Sequence, residues 1–244
     1  MRDHGEADLR ALLEVAQASE VTVRRDLRAL EERGLVVRRR GGVVLPEPVA
    51  PGRGLEDDGG TAPEAREIAT LAAHLVREGD TVAIGAGPIS RLLATAVLDV
   101  PRLTVVTNSL LVGEALAPGA SVTVVMTGGS LRGASYGFVG SSAEQALAEL
   151  KVRLAFLAGD GVTAGWGLSR SDLTEVGIDR TIAEAATSIV ALVEGQALGV
   201  DAPFQTVPAA RIGHLVTATP AAPEVLDPFR AIGIDVLVAP PPEK

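Results

Sequence analysis

From residue 63 onward, short unbroken apolar runs alternate with segments of helical period, and nothing else in the chain limits its fold so tightly. The runs are DTVAI (80–84), LTVV (103–106), SVTVVM (121–126), 152–157, 188–193, 213–217 and 234–238. Helical period marks 63–78, 89–97, 109–117, 141–150, 172–186 and a stretch near 223–232. A strand that is apolar on successive residues must be buried on both faces, and intervening helices are the elements that can cover it. The expected body is therefore α/β, a mostly parallel sheet over residues 63–244. Aromatic residues make up only 2% of the chain, so its core must be built from Val, Leu, Ile and Ala. No apolar run reaches the roughly 18 residues a membrane span needs. The opening MRDHGEADLR is charged and lacks the apolar segment of a secretory leader. Without cysteine there are no disulfides and no thiolate metal ligands, and a cytoplasmic address is expected. His4, His74 and His214 are scattered with no metal-ligand spacing, and neither metal nor cofactor is expected.

Ahead of this body, residues 19–44 read as a capped helix followed by a basic hairpin. Val23, Leu27 and Leu30 recur at i, i+4 and i+7, which sets one buried face. At about 100° per residue the opposite face carries Arg24, Arg25 and Arg28 together with Val21 and Thr22. Ser19 stands where an N-cap belongs, and Gly34 where a helix stops. Beyond it LVVRRR and VVL are two β-prone runs joined through Gly41-Gly42, a pair suited to a tight primed turn. Arg38, Arg39 and Arg40 lie on that hairpin. Taken alone the helix could be an ordinary solvated face. Cap, helix, glycine stop, arginine run and turn together predict a DNA-binding head over residues 1–46. Residues 46–62, PEPVAPGRGLEDDGGTA, are rich in Pro, Gly and acid with no hydrophobic period, so 47–62 is expected to be a linker.

The charge balance fits that division. The chain carries −9 overall, which is wrong for a nucleic-acid binder taken whole. Residues 1–50 hold nine arginines against nine acids, leaving 13 basic and 22 acidic residues beyond position 50, so the whole surplus lies past the head. Within 19–44, seven arginines face four acids. A small basic head on an acidic body suits DNA reading by the first and another task for the second.

In open α/β sheets ligands gather beyond the carboxyl ends of strands, where loops feed helix N-termini. Three such loops carry small or polar residues. GAGPIS offers Gly85, Gly87 and Ser90; TNS offers Thr107, Asn108 and Ser109; TGGSLR offers Thr127, Gly128, Gly129 and Arg132. Glycines let backbone amides approach an anion, and the hydroxyl and amide side chains can pair with a polar ligand. Ser109 serves equally well as an N-cap with no ligand, and Gly128-Gly129 as a plain turn.

Both halves also resemble one family. SEVTVRRDLRALEERGLVVRRRGGVVL is similar to the winged helix-turn-helix of the DeoR family of bacterial transcriptional regulators. The likeness is specific at Ser19, Thr22, Val23, Arg24, Arg25, Asp26, Leu27, Leu30, Gly34, Arg38, Gly41 and Gly42. Residues 7–16, ADLRALLEVA, resemble the supporting helix that precedes the recognition helix. The family places a further helix upstream, for which the chain has no room before Met1, so the expected head lacks its first helix. The body resembles the family's effector domain, of the ribose-5-phosphate isomerase and CoA transferase type, through REGDTVAIGAG, LTVVTNSL, VTVVMTGGSLR, FVG (138–140), AFLAGDGV (155–162), GLS (167–169) and Glu175. The resemblance implies a phosphorylated sugar or polyol as effector, with Glu194 at the late signature loop.

Three family positions differ. A D-x-G-T-T loop stands here as Gly85-Ala86-Gly87-Pro88-Ile89, and a D-S-S-K signature as Glu194-Gly195-Gln196-Ala197. An expected aspartate is Arg153. Losing a cation and two hydroxyls weakens phosphate binding, and the expectation is a pocket that has moved to another ligand or to none. Ser90 or Arg132 could compensate.

The sequence therefore predicts a cytoplasmic transcriptional regulator that represses carbohydrate or related metabolic genes. Its partners are a double-stranded DNA operator and a small effector, with no membrane. A head of this size buries too little surface for tight specific binding, so a homo-oligomer is expected. Arg24 and Arg25 would reach base edges or phosphates with Arg28 beside them. Ser19 and Thr22 would anchor the helix to phosphate, and the wing arginines would add sequence-independent attraction. A remnant that only oligomerises is the main alternative. A sugar-phosphate isomerase is disfavoured because the loops offer Asp160 and Glu194 but neither lysine nor histidine. A dinucleotide site is disfavoured because the strand after AIGAGPIS ends in Thr107-Asn108 rather than an acid.

Overall fold

The computed structural model describes residues 6–8, 22–23, 27, 37–39, 42–44, 63–133, 135–218 and 222–241. The chain forms two compact units, Met1–Glu56 and Asp57–Lys244. The linker expected over 47–62 lies outside the described residues.

In the first unit, β1 (Glu6–Asp8), β2 (Val37–Arg39) and β3 (Gly42–Val44) form an antiparallel sheet with β3 in the centre. The expected ribbon is therefore present, with Gly42 in a strand and not in the connection between strands. Arg39 pairs with Gly42 and Val37 with Val44, so Gly42 is the first residue of β3. Residues 7 and 8, expected at the start of a supporting helix, are strand instead: Glu6 pairs with Val44 and Asp8 with Gly42. The physical reason is the free edge of β3, whose unpaired backbone groups a third strand satisfies. The rest of the expected supporting helix lies outside the described residues. Thr22, Val23 and Leu27 are helical, and Val23 and Leu27 are 5% and 8% exposed, as the i, i+4 pattern predicts.

The second unit is built on seven parallel strands in the order β15-β14-β12-β9-β4-β5-β6. They are β4 (Thr81–Ile84), β5 (Leu103–Thr107), β6 (Val122–Met126), β9 (Val152–Ala158), β12 (Ala186–Leu192), β14 (Ile212–Ala218) and β15 (Asp235–Ala239). Side chains alternate between two apolar clusters. Val82, Ile84, Val105, Phe156 and Leu192 face one side; Ala83, Val106, Leu157 and Ala191 face the other. The first cluster is covered by α1 (Pro63–Ala73), α2 (Pro88–Ala96) and α3 (Leu110–Leu116). The second is covered by α4 (Ser141–Ala148), α5 (Leu173–Ala185) and α6 (Pro223–Ala231). This is the expected parallel α/β body.

α1 ends at Ala73, five residues before the expected stop. His74, Leu75 and Val76 donate to carbonyls three residues back, and the Arg77 amide donates to the Asp80 carboxylate at 2.7 Å, which turns the chain into β4. Two small antiparallel elements were not expected. One is the hairpin of β7 (Ser130–Arg132) and β8 (Gly137–Val139). The other is a three-stranded sheet in which β11 (Gly167–Arg170) lies between β10 (Gly161–Thr163) and β13 (Phe204–Val207).

Candidate functional site

The loops after β4 and β5 meet the β7–β8 hairpin at the carboxyl end of the sheet. Thr107 is buried and fully engaged: its hydroxyl donates to the Ile84 carbonyl at 2.6 Å and accepts from the Ser109 amide at 3.0 Å. Ser109 is the N-cap of α3 and accepts from the Val112 amide at 3.3 Å. These two side chains hold the backbone. Asn108 stands between them with its amide nitrogen donating to the Phe138 carbonyl at 3.1 Å, while the Phe138 amide donates to the Asn108 carbonyl at 2.6 Å. The β5 loop is thereby stitched to β8.

Gly85 and Gly87 are required by space and backbone. A Cβ on Gly85 would lie 2.8 Å from the Leu157 side chain, and Gly87, the N-cap of α2, has φ of +149°. Ser90 lies in the first turn of α2, wholly buried, and its hydroxyl has no hydrogen-bond partner in the protein. Thr127 donates to the Gly128 carbonyl at 3.1 Å, and a Cβ on Gly129 would lie 2.8 Å from the Val139 carbonyl oxygen. Arg132 is exposed on β7. Glu194 follows β12 and accepts from Gln196 at 2.9 Å, while the adjacent Gly195 amide donates to the Glu64 carboxylate on α1 at 2.6 Å.

The strongest electrostatic feature of the site was missed from the sequence. Arg170, at the end of β11, lies 10% exposed between two acids of α5, Glu175 at 2.7 Å and Asp179 in closer contact, and donates to the Ala86 carbonyl at 3.3 Å. Burial opposes the guanidinium charge, but Asp179, Glu175 and Asp160 outweigh it and raise the Arg170 pKa. Burial pushes the Asp179 carboxyl up to about 6, against the pull of Arg170. A signal for the cluster existed: Glu175 and Asp179 are four apart on a helix whose period buries that face, and two buried acids require a cation.

The sign of the pH dependence follows. A carboxyl whose folded pKa lies above its unfolded value contributes stability that is complete below about 3.8 and is lost as pH rises through about 6. Asp80 acts in the opposite sense: hydrogen bonding to Arg153 lowers its pKa, so its contribution is lost only at pH below the ordinary aspartate range. The urea midpoint should therefore fall between about pH 4 and pH 6 in the native protein, and Asp179→Asn should flatten that slope.

Arg153, a departure from the family pattern, lies at the other end of the sheet. It pairs with Asp80 just before β4 and donates to the Leu75 carbonyl at 2.6 Å. Its substitution belongs to the framework and not to ligand chemistry. In the first unit, Thr22 is half-buried on its helix, and Arg38 and Arg39 lie on β2. Ser19, Arg24, Arg25, Arg28 and Arg40 lie outside the described residues. Among the described residues no group of His, Asp and Glu could hold a metal, and no helix is long and apolar enough to cross a membrane.

Two family models match this chain in succession. Residues 1–49 match the DeoR-like helix-turn-helix domain and residues 61–219 the DeoR C-terminal sensor domain. A DNA-binding head and a sensor body in one chain define a transcriptional regulator. The chain belongs to the DeoR family. It is 26% identical to the putative aga operon transcriptional repressor of Escherichia coli O157:H7, over 98% of this chain and 90% of that protein. It is 27% identical to the regulator IolR of Bacillus subtilis, over 89% and 86% of the two chains. With the glycerol-3-phosphate regulon repressor of Escherichia coli K12 the identity is 28%, over 82% and 79%. Ribose 5-phosphate isomerase A of Neisseria gonorrhoeae shares 16% identity over 56% of this chain and 54% of its own, with a TM-score of 0.41, a likeness too slight to speak for shared activity.

Proposed function

We propose that this regulator represses carbohydrate or related metabolic genes, gripping a double-stranded operator as a homo-oligomer and answering to a small effector held at the carboxyl end of its parallel sheet. The observation that carries the DNA half is the pairing of β2 with β3 beyond a helix that buries Val23 and Leu27. That burial supports the expectation from helical period that Arg24, Arg25 and Arg28 take the opposite face. Thr22 lies on the same helix and Arg38 and Arg39 on β2, and the sequence pattern adds Ser19 and Arg40 to them as expectations. Names of relatives, an aga operon repressor and a glycerol-3-phosphate regulon repressor, support the choice of target genes. No step of the reading requires catalysis: Glu175 and Asp179 pair with Arg170, Asp160 accepts from the Ser171 amide, and Glu194 accepts from Gln196.

Mobility shift with DNA from upstream of the protein's own gene is the direct test. Arg24→Ala or Arg25→Ala should cost about 1–3 kcal/mol of operator binding and relax sequence preference. Arg38→Ala should weaken binding to all sequences and reduce the salt slope by about one unit. A salt slope unchanged by Arg38→Ala would remove the wing from the DNA interface.

A further inference from the structure

Three buried polar atoms meet around the loop after β4 without a hydrogen-bond partner in the protein: Ser90 Oγ, Asn108 Oδ1 and Ser135 Oγ. Ser90 is 0% exposed and Asn108 2%. They share one neighbourhood. A Cβ on Gly137 would lie 3.1 Å from Ala86 Cβ, 3.3 Å from Ser135 Oγ and 3.7 Å from the Asn108 amide nitrogen, and one on Gly87 would lie 3.7 Å from Ser90 Oγ. Protein interiors pair nearly all such atoms, so three of them around one loop mark a place built for polar partners. Two hydroxyls and an amide carbonyl are the complement of hydroxyl groups.

The charges at this place disfavour an anion. Arg170 touches the same loop through the Ala86 carbonyl, but its guanidinium is spent on Glu175 and Asp179. Asp160 adds a third carboxylate to the field that Arg170 feels. The exposed Arg132 shares its field with Asp172, whose pKa is lowered first by the Thr174 hydroxyl and further by Arg132. Pro88 at the start of α2 removes one of the amides that an anion at a helix N-terminus would use. A phosphate ester carries between one and two negative charges at neutral pH and would enter among these carboxylates.

We infer that the loop cluster around Ser90, Asn108 and Ser135 takes an uncharged polyhydroxy compound, a free sugar or sugar alcohol, whose hydroxyls pair with these three residues, in preference to the phosphate ester of the same compound. The inference rests on reading this body as the effector sensor and specifies the class of ligand it senses.

The test is calorimetric titration of the full chain with matched pairs: ribitol, sorbitol, ribose and glucose, each beside its monophosphate, with inorganic phosphate alongside. At least one neutral compound should bind with saturation, and its monophosphate should bind at least about tenfold more weakly. Ser90→Ala should leave the unliganded melting temperature unchanged or raised, because it removes a hydroxyl with no partner, yet weaken the neutral compound about tenfold. Tighter binding of any monophosphate or of inorganic phosphate overturns the inference, as does a panel in which no neutral compound binds. Equal affinity in Ser90→Ala overturns it too. Mobility shift on the same preparation keeps the two readings apart. A phosphate-preferring protein that still binds DNA loses only the ligand assignment, and a polyol-binding protein that ignores DNA loses only the regulator.

Discussion

Arg170→Ala should destabilise the body by about 3–5 kcal/mol, the largest loss expected from any polar residue at the site. The guanidinium is 10% exposed, and its partners Glu175 and Asp179 are 9% and 1%. Removing it leaves two carboxylates four residues apart on one helix face with neither water nor a cation to receive them. Coulomb repulsion then adds to the desolvation that already holds Asp179 high. The Ala86 carbonyl loses its donor in the same step, so the loss reaches the loop that carries Gly85 and Gly87. The urea midpoint at neutral pH reads the effect. Adding Glu175→Gln and Asp179→Asn to Arg170→Met should recover much of the loss, because the triple variant leaves no unpaired buried charge. Arg153→Ala is the comparison. That side chain is 34% exposed, and water can take over part of its pairing, so the cost should be clearly smaller. A loss below about 1 kcal/mol for Arg170→Ala would mean the cluster is not a buried charge network.

Gly167→Ala should be comparably severe, at about 3–5 kcal/mol, for a steric reason. Gly167 has φ of +99°, where a side chain is strained. Its added Cβ would stand 2.1 Å from the Val207 carbonyl oxygen and 2.5 Å from the Ala209 nitrogen, so both clashes are with backbone. Relief would require β11 to part from β13, and β11 carries Arg170 at its other end. The variant should therefore both melt earlier and lose effector response in the DNA-binding assay. Gly165→Ala, two residues away with nothing within 4 Å of its Cβ, should be near neutral in the same measurements.

These two residues show where sequence reading reaches its limit. The seven parallel strands and their helices could be read because each is long enough for its hydrophobic period to show, and β9 and β12 are apolar almost throughout. The strands around Arg170 and Gly167 are three or four residues long and mix Gly, Thr and Ser with apolar residues, which gives no period to read. β1 was missed for a different reason. Glu6–Asp8 has no strand propensity of its own, and only the free edge of β3 makes it a strand. Of the candidate site residues, Ser90 and Asn108 were proposed because loops at strand ends are where polar residues gather. Thr107 and Ser109 came from the same rule, and the backbone claims both.

Local pattern alone determined the two-part plan of this protein: a helix burying Val23 and Leu27 with a β-ribbon after it in the chain, then apolar strands interleaved with helices. Such features depend on residues close in the chain, and their periods survive without any tertiary contact. Only the tertiary structure decided that Arg170 would be neutralised by α5, that Arg153 would sit at the amino end of the sheet, and that Ser90, Asn108 and Ser135 would share one place. The charge of a pocket is a sum over groups that the chain brings from distant positions, and no window of sequence contains that sum.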